Sequence, residues 1–194
     1  NSILGISPDH QDHLSGSGSL YWNISDDWEI SLSASYDDYN DGASRLTSLS
    51  SDPFVLNSDI EGSSEQSAQT QSLRISHEGD SVNFLSVTSR RNWDISPYHF
   101  DLDFGPNPGN ESRIYQEQDI VSREFRFSSN NDSNVEWTAG AYFGETELDG
   151  NTDRKFIVPL PPQFGGGFAP AATTTDYTLS ENTYAAFGQI TYNG

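Results

Sequence analysis

The amino-acid sequence predicts an all-β chain: an antiparallel up-and-down meander of seven strands that is part of a large transmembrane β-barrel. Three features lead to this reading. Apolar and polar side chains alternate with period 2 in segment after segment, the mark of strands with two unlike faces. Long helical periodicity is absent. Tight turns and long connections follow each other without exception, which gathers the tight turns at one end of the meander and the long loops at the other.

The first strand is expected over about residues 14–24, with Leu14, Gly16, Gly18, Leu20, Trp22 and Ile24 on one side. The second, 28–37, carries Trp28, Ile30, Leu32, Ala34 and Tyr36 on one face and Glu29, Ser31, Ser33 and Ser35 on the other. A third covers 68–78. The fourth, 82–93, has no clean face, because Phe84 and Leu85 differ in parity; a bulge is one way to reconcile them. In the fifth, 116–128, Val121, Phe125 and Phe127 share a face that also holds Arg123. The sixth, 135–146, sets Val135, Trp137, Ala139, Ala141 and Phe143 against Glu136, Thr138, Gly140 and Tyr142. The last, 183–193, alternates Tyr184, Ala186, Gly188, Ile190 and Tyr192 with Thr183, Ala185, Phe187, Gln189 and Thr191. Ser25–Asp27, Gly79–Ser81 and Ser129–Asn134 have the Asp, Asn and Gly content of hairpin turns. Asp38–Ser67, Asp94–Tyr115 and Glu147–Asn182 are the long connections.

Composition narrows the function classes. Lys and Arg number 9 against 29 Asp and Glu, a formal charge of −20. Phosphate binding needs a basic surface, so no nucleic-acid partner is expected. With no Cys, disulfide scaffolds and Cys-ligated zinc are excluded. No run approaches the roughly 18 apolar residues of a spanning helix. The regular placement of 4 Trp, 9 Tyr and 11 Phe argues against disorder. The chain opens on no signal peptide and has no Met, which reads as a mature protein or an internal piece of a longer one.

Long loops at one end only are foreign to compact soluble domains and normal in outer-membrane barrels. Lipid cannot hydrogen-bond a backbone, so a spanning sheet must close and turn its apolar face outward. Trp28 and Tyr36, like Tyr184 and Tyr192, stand eight residues apart. That is roughly 26 Å along a strand, close to the spacing of the two aromatic girdles. Arg123 fits this belt poorly, since a mid-bilayer Arg costs about 2–4 kcal/mol. Seven strands are too few and odd in number for a bacterial barrel, so residues 1–194 are expected to be a partial one. The competing reading is a secreted acidic β-sandwich that binds glycans or cations, whose strands would also alternate.

Several segments resemble TonB-dependent outer-membrane receptors. Ser122-Arg-Glu124-Phe-Arg126-Phe127-Ser, an Asn/Asp turn, and Val-Glu-Trp137-Thr-Ala-Gly140-Ala-Tyr142-Phe143 resemble a strand pair of that family. Tyr184-Ala-Ala-Phe187-Gly188-Gln189-Ile-Thr-Tyr192 looks like a following strand, and Leu85-Ser86-Val87-Thr88-Ser89 is similar to one between them. The likeness covers 68–194 well and 14–37 more loosely. It implies a barrel of about 22 strands, plugged by a globular domain that this chain lacks. It further implies uptake of a scarce nutrient such as a ferric siderophore, energised through the TonB complex by way of that plug. Outer-membrane lipid and lipopolysaccharide are the implied surroundings, and a bacterial cell outer membrane the location. No cofactor and no enzymatic activity are implied.

In this frame Arg74, Glu124, Arg126 and Glu136 are lumen-facing candidates. They would hold the plug or line the substrate route, or simply pair with each other across strands. Phe156, Phe164 and Phe168 are candidates for a ligand-contact loop, although their Pro and Gly neighbours also describe a mobile loop. The connection 38–67 is acidic, with Arg45 its single base. Asp37–Gly42 fails as an EF-hand, because Tyr39 and Ser48 occupy ligand positions. His10, Asp12 and His13 lack a third partner at metal spacing, so no metal is expected. Gly-x-Ser-x-Gly, phosphate-loop and His-Glu-x-x-His elements are absent.

Overall fold

A computed structural model describes residues 1–6, 10–43, 46, 55–130 and 134–193. Arg45, Ser48 and Asp52 of the acidic connection, and residues 131–133 of the third tight turn, fall outside that set. Seven strands form one antiparallel sheet in sequence order: β1 (Gln11–Asn23), β2 (Trp28–Asp41), β3 (Ser63–Glu78), β4 (Val82–Asp101), β5 (Glu111–Ser129), β6 (Val135–Pro159) and β7 (Phe168–Tyr192). Each strand touches only its sequence neighbours, so β1 and β7 are free edges and the sheet is open.

A single layer overturns the β-sandwich alternative. No hydrophobic side chain is buried among the described residues. Trp28 is 38% exposed, Leu32 49% and Ile190 77%, where a sandwich would have packed them against a second sheet. The apolar side chains instead join into one face. Directly opposed residues point the same way in an antiparallel pair. Leu20 lies opposite Leu32, Leu32 opposite Leu73, Phe84 opposite Phe127, and Trp137 opposite Ile190. Phe125, Phe143 and Tyr184 continue the belt edge to face, with centroids 6.4 and 5.9 Å apart.

The register also tilts this belt. Trp28 is level, through His77, Phe84 and Phe127, with Ala139. The belt on β6 reaches four residues further, to Val135. At the other end Tyr36 is level with Glu147, whereas the belt on β6 stops four residues earlier, at Phe143. Both edges therefore slip one residue per strand. At about 3.3 Å per residue and 4.8 Å per strand, the slope is roughly 35°, the strand tilt of membrane barrels.

The strand segments expected from alternation are all present, but two long connections are corrected. Asp94–Tyr115 shrinks to the nine residues 102–110, and Glu147–Asn182 to the eight residues 160–167, which hold the 3-10 turn Pro162–Phe164. β6 and β7 stay paired over all 25 residues each. Their hairpin continues sixteen residues beyond Phe143, roughly 50 Å along the strand. Alternation is missing there because neither face needs to be apolar. Pairing persists through polar cross-strand bonds on one face: Thr174 Oγ1 donates to Asp153 (2.6 Å), Asn151 Nδ2 to Asp176 (2.7 Å) and Thr178 Oγ1 to Asp149 (2.6 Å). The suggested bulge in 82–93 is also corrected. β4 pairs in register from Val82 to Ile95, and the shift falls between Ile95 and Tyr98, around Pro97, which has no N–H for the ladder. Phe84 and Leu85 simply serve opposite faces.

The β4–β5 tip is held by carboxylates. Buried Asp101 accepts from the Ser58 hydroxyl (2.6 Å) and from the Asp103 and Gly105 amides (3.0 and 3.1 Å). Glu111 accepts from Lys155 (2.6 Å) and Arg113 (3.1 Å), and His99 Nε2 lies 2.7 Å from it. The Lys155 hydrogen bond is the main reason the Glu111 carboxyl titrates below its ordinary 4.5; burial opposes this, and His99 and Arg113 add to the lowering. A carboxyl lowered in the folded state stabilises fully above its unfolded value, and the gain is lost as pH falls through the folded value. Amide exchange at 111 and 155 should therefore accelerate, relative to unfolded-chain rates, as pH falls from about 5 to about 3. Glu111→Gln should flatten that dependence. Asp59 acts in the opposite sense: burial first, then the Asp101 charge, raises its carboxyl above 3.8, so acid relieves that repulsion.

Candidate functional site

The polar face of the sheet is the candidate site. The register puts Arg74 of β3, Glu124 and Arg126 of β5 and Glu136 of β6 on this one face, opposite the apolar belt. They are not brought together into one cluster. Arg74 Nη1 donates to Glu29 (2.8 Å), a partner on β2 that the sequence did not single out. Arg126 Nη2 donates to Glu124 (2.6 Å) on its own strand and stands 5.9 Å above the Phe187 ring. Glu136 accepts from Asn193 (2.8 Å) at the tight-turn end. It lines a polar cleft of about 540 Å3 with Ser128, Asn130, Gln189 and Thr191. These side chains are part-exposed, so each ion pair is worth at most about 1 kcal/mol. What they supply is a wet, charged wall with alternating signs.

Sequence reading passed over the aromatic members of this wall. Phe187 lies directly across from Gly140, and Tyr177 from Gly150, each ring covering the backbone of its glycine partner. Small residue opposite ring is a detectable pattern only once the register is known. Above the level of the belt this face becomes more apolar. Trp93, Gln118, Leu148 and Leu179 form one row, and Ile95, Gln116, Gly150 and Tyr177 the next.

The three phenylalanines expected in one loop are separated. Phe156 lies inside β6, Phe164 ends the 3-10 turn and Phe168 opens β7. Phe156 opposes Ala171 and Phe168 opposes Pro159, which places the two rings on opposite faces of the hairpin. Phe164 and Phe168 are 73% and 76% exposed. At the far edge of the sheet, His13 stacks on Tyr39 at 4.0 Å and lies 3.6 Å from Asp37. Among the described residues no three His, Cys, Asp or Glu side chains converge as metal ligands.

No protein-family model matches the chain. Its structure is similar to the crystal structure of the ferric yersiniabactin uptake receptor FyuA from Yersinia pestis, with a TM-score of 0.55 and 13% sequence identity. The similarity covers 93% of this chain and 34% of that one. The chain thus spans about a third of the length of the receptor it matches, and what the two share is the fold.

Proposed function

We propose that this chain is part of the barrel of a bacterial outer-membrane receptor that imports a scarce nutrient, such as a ferric siderophore, with energy from the TonB complex. The observation that carries the reading is the belt. One face of the sheet is apolar over about eight residues on β2, β6 and β7, the opposite face is charged, and the belt climbs from β2 to β6 at the slope that barrel closure demands. A free-standing sheet in water gains nothing from either arrangement. The fold likeness to an uptake receptor supports the same reading.

In this reading the charged face lines the lumen. Arg74, Arg126, Glu124 and Glu136 meet a plug domain supplied by the rest of the receptor, and the plug contacts TonB. Trp93, Leu148, Tyr177 and Leu179 stand at the wide mouth, where an apolar cargo would first touch the wall. The remaining strands of the ring add to the free edges of β1 and β7.

Cell fractionation together with uptake tests this. The protein should be recovered with the outer membrane and require detergent for extraction. Deleting its gene should abolish uptake of a labelled ferric siderophore that a protonophore also blocks. Recovery as a compact monomer in detergent-free buffer would overturn the membrane reading. Outer-membrane recovery with uptake of every tested nutrient unchanged would overturn the importer reading alone.

A further inference from the structure

Charged residues make up 20% of the chain, yet residues 156–175 contain none. They form the cap of the longest hairpin: the top of β6, the turn 160–167 and the start of β7. Phe156 and Val158, paired with Ala171 and Ala169, line one face. Ile157 and Pro159, paired with Pro170 and Phe168, line the other. The cap is therefore apolar on both faces, and at its apex Phe164 and Phe168 are largely exposed. A protein partner would cover one face and leave the other in water. A lipid surface wraps a tip from every side.

The backbone of the cap also suits a medium poor in water, where an amide without a partner is costly. Pro159, Pro161, Pro162 and Pro170 have no N–H to satisfy. Leu160 N donates to Gly167 O (2.8 Å), Phe164 N to Pro161 O (2.9 Å) and Gly165 N to Pro162 O (3.1 Å). Ile157 N donates to Asn110 Oδ1 (3.1 Å). Gly165, Gly166 and Gly167 have φ of 93°, 64° and 85°, a left-handed run that glycine follows without strain. This hydrogen-bonded turn sets Phe164 and Phe168 on either side of the apex.

Height and charge select the lipid surface. The belt of β6 ends at Phe143, roughly 50 Å below the cap along the strand, and the hairpin is paired throughout that length. The cap thus stands clear of the bilayer proposed around the belt. A net charge of −20 repels an anionic surface. Asp153, Arg154 and Lys155 begin directly beneath the cap, and the four paired rows between Lys155 and the turn span roughly 13 Å. Interfacial apolar elements bury about 5–10 Å into the headgroup and acyl boundary, so these charges stay in water while the rings are covered.

We infer that the cap docks on the zwitterionic surface of a second bilayer, with Phe164 and Phe168 at its headgroup–acyl boundary. The inference uses the barrel reading only for the side from which the hairpin projects.

The test uses the full natural protein reconstituted in nanodiscs, which leave the hairpin in solution, and measures flotation with phosphatidylcholine vesicles. Vesicle-bound protein should fall about tenfold or more in Phe164→Ser with Phe168→Ser. Both side chains are largely exposed, so thermal unfolding of that variant should be unchanged. Phe164→Trp should keep binding, and vesicles with brominated acyl chains should quench the fluorescence it adds. Equal flotation of the Ser variant, no quenching, or binding that requires anionic lipid would overturn the inference and leave the barrel reading standing. A protein that stays out of nanodiscs but still floats through its two phenylalanines would overturn the barrel reading and leave the cap inference standing.

Discussion

Ala139→Arg should destabilise the membrane-inserted protein by about 2–4 kcal/mol, a shift of roughly 30- to 700-fold in the folding equilibrium. Ala139 stands midway along the belt of β6, between Phe127 on β5 and Gly188 on β7. It is four residues from each edge, so in the proposed membrane setting a guanidinium there would not reach headgroups without deforming the bilayer. Thr138→Arg, one residue away, is the matched control. Thr138 lies opposite Gln189 on the charged face, where an added Arg meets water and carboxylates. The two variants share strand, neighbours and charge and differ only in which way they point. Urea titration of the bilayer-reconstituted protein should separate them by the full amount. If both behave alike, no hydrocarbon lies against the apolar face.

Gly140→Val should be the most damaging small substitution on the opposite face. A Cβ built at Gly140 would collide with two things: the Phe187 ring and the carbonyl oxygen of Phe125 on β5. The ring could swing away, but the carbonyl belongs to the ladder and cannot move without parting β5 from β6. Overpacking of this kind costs about 1–3 kcal/mol, occasionally more. Gly150→Ala offers the contrast, since the three atoms nearest its added methyl all belong to the Tyr177 side chain, and rotation of that side chain accommodates it. Combining Gly140→Ala with Phe187→Ala should therefore fail to restore stability, whereas Gly150→Ala with Tyr177→Ala should restore it. Thermal unfolding in detergent distinguishes the pairs. Full rescue of Gly140→Ala by Phe187→Ala would place the whole constraint in the ring.

The segments that were legible in the sequence are those where the two faces of a strand differ in polarity. Over Trp28–Tyr36 and Val135–Phe143, apolar residues alternate with mostly polar or small ones, the pattern required if one side of the strand faces the apolar medium proposed for it. Even Arg123, which spoiled the pattern, was placed on its correct face by parity. Where neither face is predominantly apolar the signal vanishes. Residues 147–159 and 168–182 carry no alternation and read as loop, yet they pair for their full length through Thr–Asp and Asn–Asp bonds between strands. β4 was ambiguous for a related reason: polar Ser86, Thr88 and Arg90 lie on the face of the apolar belt, while Leu85, Val87 and Trp93 face the charged side, inverting the usual pattern.

Parity along the chain settled how many strands form, which side chains share a face, and that Arg74, Glu124, Arg126 and Glu136 all point away from the apolar one. Parity is a local property, fixed by the pleat of each strand. The lateral alignment of strands was decided in three dimensions, because residues 45 positions apart, such as Glu29 and Arg74, become neighbours only when turns and ladders choose a register. From that alignment come the tilt of the belt, the pairing of Gly140 with Phe187, and the separation of Phe156 from Phe168.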